Sequence, residues 1–167
     1  MSSVKPTDFA GLLRRLLDNG VEFVLVGGVA GNVLGSARAT YDVDVVYNRS
    51  AANLERIVRA LEPLHPYLRG APPGLPFAFD VETLRRGLNF TLITDLGDID
   101  LLGDVTGGGG YEALLSSTDT VELFGSPCRC VTLEGLIRLK RAAGRPKDIE
   151  AIAELEAILE ERQRGSG

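Results

Sequence analysis

The 167-residue sequence is the size of one ordinary domain, and its 44% hydrophobic and 25% charged residues exclude a disordered, charge-dominated chain. No apolar run approaches the roughly 20 residues that span a bilayer, and Met1 to Thr7 lacks a signal peptide's apolar stretch, so a cytoplasmic protein without a membrane partner is expected. The net charge of −5 argues against a chain held to nucleic acid by its overall field.

Phe9, Leu12, Leu13, Leu16 and Leu17 follow the spacing of one helical face, and Gly20 stands where a left-handed cap is expected. Val21 to Val26 is a short β-branched run ending at Gly27-Gly28, which reads as a buried strand entering a turn. A short helix over 29–34, a strand over 41–47 and a helix over 51–61 follow. Five prolines and two glycines between Glu62 and Pro76 predict a long surface loop. Residues 88–94 and 98–102 flank Asp95-Leu96-Gly97 as an antiparallel hairpin, and glycines 107–110 make a flexible connection. Strands near 120–123 and 128–131 precede helices over 133–143 and 146–162, with Pro146 suited to a first helical position. The expected fold is α/β (α+β): one domain over 1–167, with a small mixed sheet flanked by helices, a core over about 21–131 and C-terminal helices over about 133–162.

The scarcest residues narrow the chemistry. His65 is the sole histidine and lies between Pro63 and Pro66, so a multi-histidine zinc site is excluded and a Ser/His/Asp triad is poorly supported. Cys128 and Cys130 are the only cysteines and can share one strand face as reduced thiols, which excludes a disulfide scaffold. Six acids between Asp148 and Glu161 occur without Lys or Arg, whereas Arg129, Arg138, Lys140, Arg141, Arg145 and Lys147 face only Glu134. A local anion site is therefore compatible with an acidic chain.

Aspartate is disfavoured in strands, yet Asp42 and Asp44 alternate with Val43 and Val45, which puts both carboxylates on one face about 7 Å apart along the backbone. Asp100 is embedded in an apolar strand in the same way, and Asp98 shares its face. Neighbouring charges repel and are costly to desolvate, so one divalent-metal site would explain all these misplaced acids together. Gly27 and Gly28 end a strand and open a helix, where backbone N–H groups and the helix N-terminus favour a phosphate. Either feature alone has an ordinary reading, an exposed strand edge or a tight turn.

Together, Val26-Gly27-Gly28-Val29-Ala30, the thirteen positions from Gly28 to Asp42-Val43-Asp44, and a later Asp100 resemble the nucleotidyltransferase superfamily that includes DNA polymerase beta. Within it, Arg38 to Asp44 and Lys140 to Asp148 are similar in style to minimal nucleotidyltransferases and AbiE-type toxin enzymes. The sequence departs from the pattern at Val29, where many relatives carry Ser. The resemblance covers roughly residues 21–160. It implies that Asp42 and Asp44 bind two magnesium ions and that Asp100 helps to bind or activate an attacking hydroxyl, with Asp98 the alternative third acid. It also implies a nucleoside triphosphate as substrate, such as ATP, and an acceptor among RNA ends including transfer RNA, protein side chains and small molecules. AbiE-type relatives act as toxins opposed by an antitoxin.

Lys140 lies at the centre of the helical face formed by Leu133, Leu136 and Ile137, where it either snorkels or meets the nucleotide's phosphates. Asp148 projects toward Ile152, Leu155 and Leu159, and its expected role is with the helix dipole or in a salt bridge to Arg145 or Lys140. Arg38 is a candidate nucleotide contact. The remaining arginines, Arg85 and Arg86 included, read as surface. The leading reading is a magnesium-dependent nucleotidyltransferase. The alternatives are a catalytically silent nucleotide-binding or antitoxin-like partner and, ranked last, a dinucleotide-binding domain, because the glycines lack the G-x-G-x-x-G spacing.

Overall fold

The computed structural model describes residues 6–165. Helix α1 (Phe9–Asp18) starts where Asp8 accepts a hydrogen bond from the Gly11 N–H, and it buries Leu12, Leu13 and Leu16. Strand β1 (Phe23–Val26) is wholly buried and passes directly into α2 (Gly27–Leu34), which Gly35 ends in the left-handed conformation. Strand β2 (Asp42–Tyr47) leads to α3 (Ala51–Leu61), capped by Ser50. Beyond it come β3 (Tyr67–Leu68), α4 (Val81–Arg86), β4 (Phe90–Thr94), β5 (Gly97–Leu102) and α5 (Tyr111–Leu114). The chain closes with β6 (Thr118–Leu123), β7 (Ser126–Val131), α6 (Leu133–Ala143) and α7 (Pro146–Gly165).

The strands form one seven-stranded sheet in the order β3-β4-β5-β2-β1-β7-β6. Pairs β2/β5 and β1/β7 are parallel and the others antiparallel, so the sheet is mixed, as expected. Helix α1 packs on α3 and against β2 and β5, while α2 lies on β1 and β2 and touches α6, itself paired with α7. Leu25, Val43, Val45, Ile99 and Leu101 are fully buried, so the central strands contribute the apolar half of their alternation to the core and leave the aspartates on the other half. Among the described residues no helix is long and apolar enough to cross a membrane.

The stretch 62–76 departs from the expected loop. Residues Glu62–Leu64 form a 3-10 turn, and Tyr67–Leu68 pairs with β4 through Tyr67↔Ile93 and Leu68↔Leu92 as an edge strand. An edge strand tolerates flanking prolines because only one side of its backbone is bonded, and the interval between Pro66 and Pro72 is long enough for it. Short helices α4 and α5 also escape the sequence pattern, being under two turns each. Helix α2 begins at Gly27 rather than Val29, β1 starts at Phe23 rather than Val21, and α7 runs on to Gly165. Cys128 and Cys130 are free and fully buried, more so than a half-buried strand face would make them.

Candidate active site

The parallel pairing of β2 with β5 sets Asp42 opposite Asp98 and Asp44 opposite Asp100. Strand alternation does the rest, turning all four carboxylates to the face that the valines leave. Asp42, Asp44 and Asp100 each offer an oxygen within 4.8 Å of the others, and Asp98 is not part of this group. Burial pushes the Asp44 carboxyl up to about 8, with the charges of Asp42 and Asp100 adding to the shift. Asp42 is raised for the same reasons, burial first and then the Asp100 charge. Asp44 Oδ1 is buried without a hydrogen-bond partner. An orphaned acceptor amid crowded carboxylates fits a hard divalent cation, which takes oxygen donors and removes the repulsion.

Both glycines of the adjoining turn are required by close approach. Gly27 has φ +70°, and a Cβ there would lie 2.1 Å from Asp44 Oδ2; a Cβ on Gly28 would lie 2.3 Å from Thr40 Oγ1. No side chain caps the start of α2, so its first N–H groups are not claimed by a capping residue. Gly27→Ala is expected to lose about 2–4 kcal/mol of stability through positive-φ strain and the clash with Asp44, and to abolish divalent-ion binding. Urea unfolding and Mn2+ calorimetry read both effects, and a variant as stable as wild type would show that the turn has slack.

A cleft of about 390 Å³ opens over the carboxylates, and Gly27, Gly28, Arg38, Lys140, Arg145 and Lys147 are among the residues that line it. Lys140 Nζ lies 3.5 Å from Asp148 Oδ1, and Arg145 Nε donates to Asp148 Oδ2 at 2.6 Å. Asp148 is fully buried; burial opposes its charge, but the hydrogen bonds and charge of Arg145, with Lys140 assisting, hold it below its ordinary value. It therefore braces the α6–α7 corner and aims two cations at the cleft. Asp148→Asn is expected to cost about 2–3 kcal/mol, less than the roughly 3–5 kcal/mol of breaking a fully buried pair, because Arg145 is more than half exposed and regains water. Chemical denaturation at neutral pH measures the loss.

Arg38 is paired with Glu150 at 3.6 Å, and its side chain is 42% exposed. The loop that carries it is tied to α7, where Glu154 accepts from Ser36 Oγ and the Ala37 N–H. Arg85 and Arg86 pair with Glu82 at the surface. His65, expected in a loop, is exposed and bonded to Asp95.

Arg69 overturns the expectation that the other arginines are surface residues. It follows the unforeseen strand β3, and its guanidinium reaches across β4 to the carboxylates: Nη2 to Asp100 Oδ1 at 2.7 Å, Nε to Asp98 Oδ2 at 3.4 Å and Nη1 to Asp42 Oδ2 at 3.7 Å. Nothing in the local sequence marks it, because its place is set by two strand pairings along the sheet rather than by any periodicity.

No family model matches the chain, and no curated protein matches it in sequence. Among solved structures it is similar to an inferred nucleotidyltransferase of Thermotoga maritima, with 17% identity and a TM-score of 0.54 over 95% of this chain and 96% of the other. At that identity the likeness is one of fold.

Proposed function

We propose that the protein is a magnesium-dependent nucleotidyltransferase that moves a nucleoside monophosphate from a nucleoside triphosphate to an acceptor hydroxyl. The observation that carries this reading is the convergence of Asp42, Asp44 and Asp100 within 4.8 Å beside a glycine turn and a cationic wall. The nucleotidyltransferase-like fold supports it. Two divalent cations bound by these carboxylates would neutralise the triphosphate and the leaving pyrophosphate.

The chain's own groups supply the remaining parts. Backbone N–H groups at Gly27 and Gly28 with the start of α2 receive phosphate oxygens, and Lys140, steadied by Asp148 and lining the same cleft, meets the same anion. Arg145 and Arg38, which line the cleft while paired with Asp148 and Glu150, are further phosphate contacts. As the acceptor oxygen bonds to the α-phosphorus and the bond to the bridging oxygen of pyrophosphate breaks, the hydroxyl proton passes to the Asp100 carboxylate. Asp98, tied to Arg69, supports from the side.

Incubation with labelled nucleoside triphosphates, magnesium and pools of transfer RNA, protein or small hydroxyl compounds tests the proposal and sorts its acceptors. Labelled acceptor is the expected result. Magnesium-dependent nucleotide binding without transfer to any pool would instead support the silent nucleotide-binding partner. A toxin role predicts growth arrest on expression in the cytoplasm, relieved by an antitoxin or by loss of Asp44.

A further inference from the structure

Arg69 is the only basic side chain paired with Asp42, Asp98 and Asp100 among the described residues; Lys140 and Arg145 are paired with Asp148. Its position is built rather than incidental. The Arg69 N–H donates to the Thr91 carbonyl at 2.9 Å, fixing the backbone on the sheet edge, and Nη2 donates to the Leu92 carbonyl at 2.9 Å as well as to Asp100. Even so the fit is incomplete. Nε is buried without a hydrogen-bond partner, just as Asp44 Oδ1 is, so a donor and an acceptor remain unsatisfied within one cluster. A guanidinium optimised for a permanent structural bond would be expected to grip one carboxylate with two parallel hydrogen bonds; this one is spread over three.

We infer that Arg69 is a tethered counter-cation of the carboxylate site, occupying Asp42 and Asp100 in the metal-free protein and yielding them to a divalent ion while Asp98 retains it. The inference rests on the metal-dependent reading above. It assigns Asp98 a task distinct from that of Asp100: the pair stand on one strand face, but only Asp100 belongs to the group of three whose oxygens converge. When a divalent ion enters, the guanidinium has a carboxylate to keep, so it need not move into solvent. Arg69 thereby stabilises the crowded acids when no ion is bound and weakens the binding of free ions by occupying two of their ligands and by repulsion. It is a positioning residue, acting through the carboxylates.

Calorimetric titration with Mn2+ alone, on the full chain, tests this without any activity assay. Arg69→Gln is expected to bind Mn2+ about tenfold or more tightly than wild type, since a competing charge at contact distance is gone, and to gain more in melting temperature on adding Mn2+. Arg69→Lys, which keeps the charge, should stay near wild-type affinity. Asp98→Asn should bind Mn2+ several-fold more weakly, because the displaced guanidinium loses its remaining partner, and Arg69→Gln in the same chain should shrink that loss. If Arg69 only scaffolds Asp100, Arg69→Gln will bind Mn2+ equally or more weakly, which overturns the inference and leaves the metal site intact. If Arg69→Gln does not fold, as circular dichroism would show, the Arg69→Lys and Asp98→Asn affinities decide: unchanged binding in Asp98→Asn overturns it. Absence of Mn2+ binding in wild type and all variants would overturn the metal reading as well.

Discussion

Asp42→Asn and Asp44→Asn are each expected to reduce nucleotidyl transfer by about 10³-fold or more. The effect follows from what the carboxylates do together. Each is one of three oxygen donors converging on the same small volume, and an amide supplies a weaker, uncharged ligand. The charge stabilisation that bound cations provide is worth several kcal/mol, and each 1.36 kcal/mol is a tenfold change in rate, which gives the figure. Asp100→Asn is expected to fall as far, because it removes a ligand and the proton acceptor at once. Asp98→Asn should retain far more transfer, since Asp98 lies outside the converging group. Initial rates of label transfer at saturating magnesium decide it. If Asp98→Asn were the most damaging of the four, the roles of the two β5 acids would be exchanged.

The metal-free protein is expected to lose stability as pH rises between about 4 and about 8, and Asp44→Asn is expected to flatten that fall. Burial and its acidic neighbours raise the Asp44 carboxyl from 3.8 to about 8 in the folded chain. Below pH 4 the group is protonated whether the chain is folded or not, so its contribution is fully present. From there to pH 8 the unfolded chain releases the proton and the folded chain keeps it, which favours unfolding at about 1.4 kcal/mol per pH unit for one such group. Asp42 shifts in the same direction. Asp148 acts oppositely, its depressed value giving stability that is lost only in more acidic solution. Urea unfolding in a chelating buffer at pH 5, 7 and 9 should therefore show wild type falling by a few kcal/mol while Asp44→Asn falls less. Saturating magnesium should remove the decline by binding the ionised form. Equal slopes for the two proteins would show that the cluster is hydrated and carries little strain.

Much of the site is legible in the sequence because alternation is a local property. Asp42 and Asp44 among valines announce an acidic strand face, and Asp100 in an apolar run announces a second. The turn glycines are legible too, although Gly27 proves necessary for a reason visible only in space, the Asp44 oxygen that presses against it. Helices α3 and α6 match their expected bounds because apolar periodicity and Ser or Thr caps agree. Arg69 is illegible for the opposite reason. A two-residue edge strand between prolines has no period to detect, and its value comes from partners 27 to 31 positions away in sequence. The Asp148 brace lies between these cases: its inward direction follows from the helix, but its pairing with both Lys140 and Arg145 needs the tight corner at Gly144.

Three members of the acidic run on α7 hold residues at or beside the cleft: Asp148 holds Lys140 and Arg145, Glu150 holds Arg38, and Glu154 holds Ser36 and Ala37. One helix thus ties both the corner after α6 and the 36–38 loop, so where α7 sits decides how far apart Lys140 and Arg38 are held, and a shift of that one rod would be felt at both.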